Sequence, residues 1–513
     1  MIVVIHQNNR VVAIERGVVI EAIESESNIA RQLFQLAKKY PEDWLLWCDT
    51  ASKDHINYKA LPELFHHKRM MHSFGDGVFL GPNIGFVENS PFIKINKAVQ
   101  YPTWLMNSKV GGIHSNVLNA IETQVVKDVD FSYFINSLAK QLMPLGLFCY
   151  HSPGLLKKPV LSQVEKASVK TFFRFVKQHY KTRWLVFLFI NLWIYKKQVH
   201  ILALLSALYY KKRILPPGVL DAVPIQSSKP LSAPVSIDVI IPTIGRTNYV
   251  KAVLRDLAKQ SHLPEKVIVI EQDPDEWSVS ELESELTKEW PFIIKHIFTH
   301  QTGACNARNL GLKYVTADWV FLADDDNVLE PDLIQCILAK IKILGADAVT
   351  TSYLQKNEKQ VHHNIIQWQT FGAGNSFLNS KLNSEVRFDE ALEHGYGEDA
   401  DFGMQLRNKG TDIIYVPQPS ILHLKAPIGG FRTEPVLPWN NASITPKPSP
   451  TIMRFHLKHR TNEQLLGYKT SLFVKYYRKQ PIKNPIRYFR AFKQQWNQSV
   501  LWADKLAKQN TDN

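Results

Sequence analysis

From residue 236 onward, short runs of apolar residues alternate with stretches whose apolar positions recur at helical spacing. Ile237-Asp238-Val239-Ile240-Ile241-Pro242 reads as a buried strand, and Val250, Val253, Leu254 and Leu257 follow as one helical face. Residues 266–271 and 292–298 read as second and third strands, 304–314 as a helix and 319–322 as another strand. A helix carrying Phe402 and Leu406 ends near Gly410, and residues 413–416 return as a strand. This alternation predicts an α/β fold with a mostly parallel, doubly wound sheet covered on both faces. Ligands on such sheets bind beyond the carboxyl ends of the strands, so the polar residues there are the ones to inspect.

The pattern divides the chain into four parts. Residues 1–152 mix strand and helix character as an N-terminal α/β domain. Residues 153–235 form a basic, apolar helical segment with a linker at Pro216-Pro217-Gly218, Ser227-Ser228-Lys229-Pro230 and Pro234. Residues 236–440 carry the alternating pattern, and 441–513 form a basic helical extension. Residues 184–195 (WLVFLFINLWIY) are strongly apolar, but Lys196, Lys197 and Gln198 then interrupt them. A membrane span needs ~20 apolar residues, so this run is too short. A buried inter-domain helix and an interfacial helix lying on a membrane both fit it.

Charge sharpens that picture. The net charge of the 513 residues is +14. Residues 153–219 hold 13 Lys and Arg against one acid, and residues 441–513 hold 14 against three. Two basic stripes thus carry the whole excess, and they suit an anionic lipid surface. Aromatic residues in the tail (Tyr476, Tyr477, Tyr488, Phe489, Phe492, Trp496) could stack on bases, but a packed amphipathic helix explains them more simply, and no nucleic-acid partner is expected. The four cysteines make no CxxC pair and have no zinc-ligand spacing, which fits free thiols in a reducing compartment. The N-terminus lacks the basic start and apolar stretch of a secretory signal, so a cytoplasmic location is expected, with peripheral contact at the inner face of the plasma membrane.

Two acidic groups stand out. Asp324-Asp325-Asp326 follows the strand at 319–322. Three adjacent acids repel one another, and either solvent at a surface turn or a hard divalent cation such as Mg²⁺ or Mn²⁺ would relieve them. Gly397-Glu398-Asp399-Ala400-Asp401 opens a helix, where acids also serve as caps. Three acids in four residues exceed what capping needs, and one free carboxylate could act as a general base.

In this order the motifs resemble those of glycosyltransferase family 2. Residues 239–246 (VIIPTIGR) look like its opening nucleotide-binding strand and turn. Residues 303–311 (GACNARNLG) are similar to its G-x-x-x-A-R-N-x-G helix. Asp324-Asp325-Asp326 matches the DxD motif, residues 371–375 (FGAGN) the glycine-rich segment beside the sugar, Glu398-Asp399 the catalytic acidic pair, and His423 the later metal-binding histidine. The resemblance implies a GT-A fold over about residues 236–440. It implies an inverting transfer from a nucleotide-sugar donor, UDP- or dTDP-linked, to a glycan or lipid-linked acceptor. Pro242, Thr243, Arg246 and Glu271 or Asp273 would hold the nucleoside. Arg308 would face the diphosphate, and Asp325 and Gly374 would belong to the same donor site. Asp324, Asp326 and His423 would bind Mg²⁺ or Mn²⁺. Asp399 would be the base, with Glu398 orienting it or the acceptor. Assembly of a bacterial surface polysaccharide is the setting it suggests.

An internal comparison adds a second expectation. Residues 43–49 (DWLLWCD) resemble 318–324 (DWVFLAD), and 128–131 (DVDF) resemble 399–402 (DADF). The copy lacks the chemistry: Ala51 stands at the place of Asp326, Lys127 at that of Glu398 and Pro159 at that of His423. Residues 1–152 are therefore read as a truncated, degenerate GT-A-like domain, with an unrelated α/β domain as the alternative. Two rival functions stay open on sequence alone. One is a sugar-nucleotide-fold scaffold that has lost catalysis. The other is a nucleotidyltransferase, although residues 242–246 are not the glycine-rich loop that class usually has.

Overall fold

The computed structural model describes residues 1–17, 19–20, 28–160, 165–230, 235–426 and 437–509. Pro234 of the predicted linker and residues 427–436 of the predicted catalytic domain lie outside the described residues. Two separate sheets organise the chain.

In the first, the main strands are β1 (Ile2–Gln7), β2 (Arg10–Arg16), β3 (Trp44–Asp49), β4 (Met70–Phe74), β5 (Val110–His114) and β6 (Phe148–His151). They lie in the order β2-β1-β3-β5-β4-β6, with short strands Val19–Ile20 and Tyr101–Pro102 at the edges. Helix α1 (Phe131–Leu142) precedes β6 and buries Phe131, Tyr133, Phe134 and Leu138 against the sheet. Two further helices, α2 (Thr182–Lys196) and α3 (Ile201–Leu208), extend this core.

The second sheet contains β7 (Ile237–Ile244), β8 (Lys266–Gln272), β9 (Ile293–Thr299), β10 (Trp319–Ala323), β11 (Ala348–Gln355), β12 (Asn375–Asn379) and β13 (Ile414–His423). Their order is β9-β8-β7-β10-β12-β11-β13. Strands β9, β8, β7 and β10 are mutually parallel. Side chains alternate across this sheet with period two. Val239 and Ile241 pack with Val253 and Leu257 on one face, while Ile240 packs with Cys305 and Ala307 on the other. Helices α4 (Ala304–Leu312) and α5 (Glu398–Asn408) cover the face that holds Ile240. The strands and helices predicted for 236–440 are all present, each within a few residues of its expected bounds.

The two sheets repeat one topology. β1-β3-β5-β4-β6 and β7-β10-β12-β11-β13 share the same order and the same succession of parallel, antiparallel, antiparallel and parallel pairings. Registers agree as well: Trp44 faces His114 and Cys48 faces Val110, as Trp319 faces Asn379 and Ala323 faces Asn375. Gly146 and Gly410, at the entries to β6 and β13, both have left-handed φ (98° and 92°). The sheets part company where β8 and β9 would be, since β2 is an antiparallel hairpin partner of β1.

The segment predicted as a free linker is packed. Ser227 N donates to Ile343 O and Ser228 N to His66 O, so the connection touches both domains. The domains also meet where Cys149 N donates to Gln367 Oε1 (2.7 Å) and Asn96 N to Asn408 Oδ1 (2.9 Å). The C-terminal extension closes on the second domain through α6 (Pro450–His459) and α7 (Pro485–Gln509). Tyr488, Phe492 and Trp496 are buried there, so these tail aromatics are packing residues.

Candidate active site

The cleft lies at the carboxyl ends of β7, β8 and β10. Strand β10 ends at Ala323, and the chain then turns through Asp324-Asp325-Asp326. Strand β13 ends at His423, antiparallel to the short strand Asn327–Val328, which brings the histidine beside the acids. Ligating atoms of Asp324, Asp326 and His423 all lie within 4.8 Å of one another. His423 Nε2 is 3.3 Å from Asp326 Oδ1, a buried carboxylate oxygen with no other partner among the described residues. Two carboxylates and an imidazole that converge in this way form a donor set that fits a divalent cation such as Mg²⁺ or Mn²⁺.

The neighbours hold this set in place. Arg308, on α4, brings Nη2 to 3.0 Å from Asp324 Oδ1. The Tyr353 hydroxyl is 3.0 Å from Asp324 Oδ2 and 2.7 Å from Asn327 Oδ1, and its ring stacks on His423 at 4.5 Å between centroids. The Asn327 amide donates to Gly374 O (2.8 Å). Sequence reasoning missed Tyr353 and Asn327. Their only signal is position, in β11 and directly after the acidic run.

Asp325 plays a different part from its neighbours. It accepts from the Thr243 hydroxyl (2.7 Å) and pairs with Arg246 Nη1 (2.6 Å). Burial pushes its carboxyl up to about 6, against the pull of Arg246 and Thr243. It therefore ties the turn after β7 to the turn after β10. Pro242 and Thr243 sit beside Ile270 and Glu271 in register across β7 and β8. Glu271 is engaged by His296 Nε2 (2.9 Å), the Ser280 hydroxyl (2.5 Å) and Glu281 N (3.1 Å). Burial raises its pKa, but these donors outweigh burial and hold it below the ordinary range. Asp273 accepts from Asp275 N (2.9 Å) just past β8. Gln272, another residue not foreseen, accepts from Gly303 N (2.6 Å) and so joins β8 to the turn before α4. Glu393 accepts from Cys305 N and Asn306 N at the amino end of α4.

Asp399 stands one turn-segment away from the cation set. Its Oδ1 accepts from Ala373 N (3.2 Å), and the next residue, Gly374, abuts Asp324. Burial and then the charges of Glu398 and Asp324 push the Asp399 carboxyl up to about 7, against the pull of Arg308. Glu398 is also raised, chiefly by burial. Both acids lie in the first turn of α5. The third acid of that turn, Asp401, faces the opposite way into α6: it accepts from His459 Nε2 (2.6 Å) and pairs with Lys458 Nζ (2.7 Å). Asp401 is thus turned toward the tail, while Asp399 meets the Ala373-Gly374 segment.

A parallel-to-mixed sheet with a switch-point cleft, a DxD turn and a later histidine defines a GT-A-type glycosyltransferase domain. The family model of glycosyl transferase family 2 matches residues 238–392. The chain is similar to the glycosyltransferase GlyA of Streptococcus pneumoniae serotype 4, at 26% identity over 127 residues, 24% of this chain and 18% of that protein. It is also similar to the uncharacterized glycosyltransferase YwdF of Bacillus subtilis, at 24% identity over 202 residues, 36% of this chain and 73% of that protein. The match thus spans under a fifth of the pneumococcal relative. Among solved structures, S. aureus TarS 1-349 in complex with UDP-GlcNAc aligns at 16% identity and a TM-score of 0.35, over 46% of this chain and 70% of that one. GalNAc-T7 with UDP, GalNAc and Mn²⁺ aligns at 12% identity and a TM-score of 0.32, over 38% and 44%.

Proposed function

We propose that this protein is a metal-dependent, inverting glycosyltransferase that moves a sugar from a UDP- or dTDP-linked donor to a glycan or lipid-linked acceptor. The observation that carries this reading is the convergence of Asp324, Asp326 and His423 within 4.8 Å, with Asp399 hydrogen-bonded to the adjoining Ala373-Gly374 segment. When bound there, Mg²⁺ or Mn²⁺ would neutralise charge on the departing diphosphate. Asp324, Asp326 and His423 would hold the ion. Arg308, released from Asp324, would face the diphosphate, and Pro242, Thr243, Arg246 and the β8 end at Glu271 and Asp273 would cradle the nucleoside. Asp399 takes the proton from the acceptor hydroxyl as that oxygen attacks the anomeric carbon. One such displacement inverts the anomeric centre. The raised pKa of Asp399 suits it to this role, because a stronger base accepts a proton more readily near neutral pH.

We also infer a peripheral position on the inner face of an anionic membrane. No helix among the described residues is long and apolar enough to cross a membrane. Helix α2 buries Leu185, Leu188 and Leu192 in the first domain but exposes Trp193 and Ile194. Helix α3 exposes Ile201, Leu202, Leu205 and Leu208, and the exposed Lys197, Lys211 and Lys212 flank the pair. Apolar side chains bordered by lysines favour an anionic interface.

The deciding experiment offers the full-length protein a panel of nucleotide sugars with Mn²⁺ or Mg²⁺ and follows release of the nucleoside diphosphate. Metal-dependent release from at least one donor is expected, abolished by EDTA. Turnover that ignores EDTA would remove the metal assignment, and no turnover with any donor would favour a non-catalytic sugar-nucleotide-binding role.

A further inference from the structure

The first domain has a cleft of its own, and it lies where the second domain keeps its donor. It opens at the carboxyl ends of β1 and β3, has a volume of about 240 Å³, and is lined by Gln7, Asn9, Asp49, Thr50, Asn107 and Lys109 among others. The shared register makes the correspondence specific. Counting from the Cys48–Val110 and Ala323–Asn375 pairs, Asp49 takes the place of Asp324 and Lys109 that of Gly374.

The equivalent positions no longer suit a nucleotide diphosphate. Ala51 and Pro159 replace the second carboxylate and the histidine. Helix α4, which supplies Arg308, has no counterpart, because the hairpin β1–β2 occupies the place of β8 and β9. Lys109 stands where the second domain has Gly374. It is buried, with Nζ 3.3 Å from Val160 O and 3.5 Å from Asp76. Asp128, which the sequence aligns with the base Asp399, is consumed by Arg213 (2.6 Å) and Arg174 (2.8 Å).

What remains is a pocket of side-chain amides and hydroxyls, walled by the carboxylates of Asp49 and Glu165, by His6 and by the paired Lys109. Asn8 and Asn9 hold the turn after β1 in left-handed backbone (φ 49° and 62°), and Asn9 is anchored by its bonds to Phe131 N and Glu165. Asn107 accepts from Lys109 N and so fixes the opposite rim. Amides and hydroxyls both donate and accept, which matches the vicinal hydroxyls of a sugar ring. The volume suits one such ring.

We propose that this cleft binds an uncharged sugar ring, free or as a unit of a glycan, and performs no chemistry on it. The site stands independently of the transfer reaction proposed for the second domain. The test uses the full-length protein saturated with UDP and Mn²⁺, so that the second cleft is filled. Saturation-transfer NMR with glucose, galactose, N-acetylglucosamine, N-acetylgalactosamine and rhamnose, alongside an array of bacterial glycan fragments, reports binding. Gln7→Ala removes an exposed polar contact, and Thr50→Trp blocks the mouth; both positions are exposed, and circular dichroism checks the fold. At least one sugar should bind, and its affinity should fall fivefold or more in both variants. Signal from glycan fragments alone would identify a glycan unit as the ligand, and signal from monosaccharides a free sugar. Absence of any binding, or binding that neither variant alters, overturns the proposal. Failure here leaves donor turnover in the second domain unaffected, so the two readings fall separately.

Discussion

A methyl group on Gly374 would sit 2.1 Å from Asp324 Oδ2 and 2.5 Å from its carboxyl carbon. The glycine is therefore the space into which the first carboxylate of the proposed cation site folds. Asp324 cannot yield easily, because Arg308 and Tyr353 hold both its oxygens. Gly374→Ala should displace the carboxylate and weaken Mn²⁺ binding by about 10- to 100-fold, the usual effect of disturbing a ligand's support. Isothermal titration with Mn²⁺, beside a thermal melt that stays near the parent's, checks it.

Asp399 should set both the pH profile and a stability penalty. As a base it works only when ionised, so kcat/KM should fall as pH drops through about 7. Asp399→Asn should lower kcat by about 100- to 10,000-fold while sparing donor affinity. Stability runs the other way. The folded pKa lies above the ordinary value of 3.8, so the folded state holds this proton more tightly than the unfolded chain does. The resulting stabilisation is complete below pH 3.8 and is lost as pH rises through about 7. Asp399→Asn should accordingly raise the melting temperature at pH 8 and leave it nearly unchanged at pH 4. A variant that melts lower at pH 8 would contradict this.

Tyr353 supports two of the three proposed cation ligands at once, by its hydroxyl to Asp324 and its ring to His423. Tyr353→Phe keeps the stacking and removes the hydroxyl. Donor turnover should then need about tenfold more Mn²⁺ for half-maximal rate, with kcat at saturating metal largely recovered. Metal titrations of the rate separate this from damage to the base, which excess Mn²⁺ would not rescue.

The legible parts of this protein are those that local pattern encodes. Strand β7 announces itself by Ile237 to Ile241, and the acids after β10 by their adjacency. Their meeting with His423 was reachable only through family resemblance, because the contact depends on the pairing of β13 with a two-residue strand after the DxD turn. Tyr353 was invisible for the same reason: nothing local distinguishes a tyrosine near the end of a strand from any other. The repeat was detectable from residues 43–49, whereas the loss of β8 and β9 equivalents appeared only as a shorter spacing. Asp325 lies inside the motif, and its bonds to Arg246 and Thr243 are contacts that no local pattern announces.

Helix α3 makes the membrane inference testable. Leu202 is 77% exposed and Leu205 51%, far more than a core helix shows. Leu202→Asp combined with Leu205→Asp should abolish co-sedimentation with phosphatidylglycerol vesicles and leave soluble donor turnover intact. Binding of the parent should weaken as salt rises, because part of the attraction comes from exposed lysines. Equal binding to neutral phosphatidylcholine vesicles would remove the charge component.

The tail braces the catalytic helix through one buried carboxylate. Asp401 is fully buried, accepts from His459 and Gln405, and pairs with Lys458. Burial alone would raise its pKa, but these partners outweigh burial and hold it at about 2. Since the folded value lies below the unfolded 3.8, its stabilisation is complete above pH 3.8 and is lost as pH falls through about 2. Asp401→Asn should cost roughly 2 kcal/mol at pH 7, the range for a hydrogen bond to a charged group. It should also flatten the loss of stability between pH 4 and pH 2, and urea midpoints across that interval measure both effects. Because Glu398 and Asp399 open the same helix, the variant should lower kcat severalfold with little change in donor KM. Lys458→Ala combined with His459→Ala should reproduce the kinetic effect, for the pair removes the tail's hold on Asp401 while leaving α5 itself unaltered. Unchanged kcat in both variants would show that α5 keeps its catalytic turn in place without the extension.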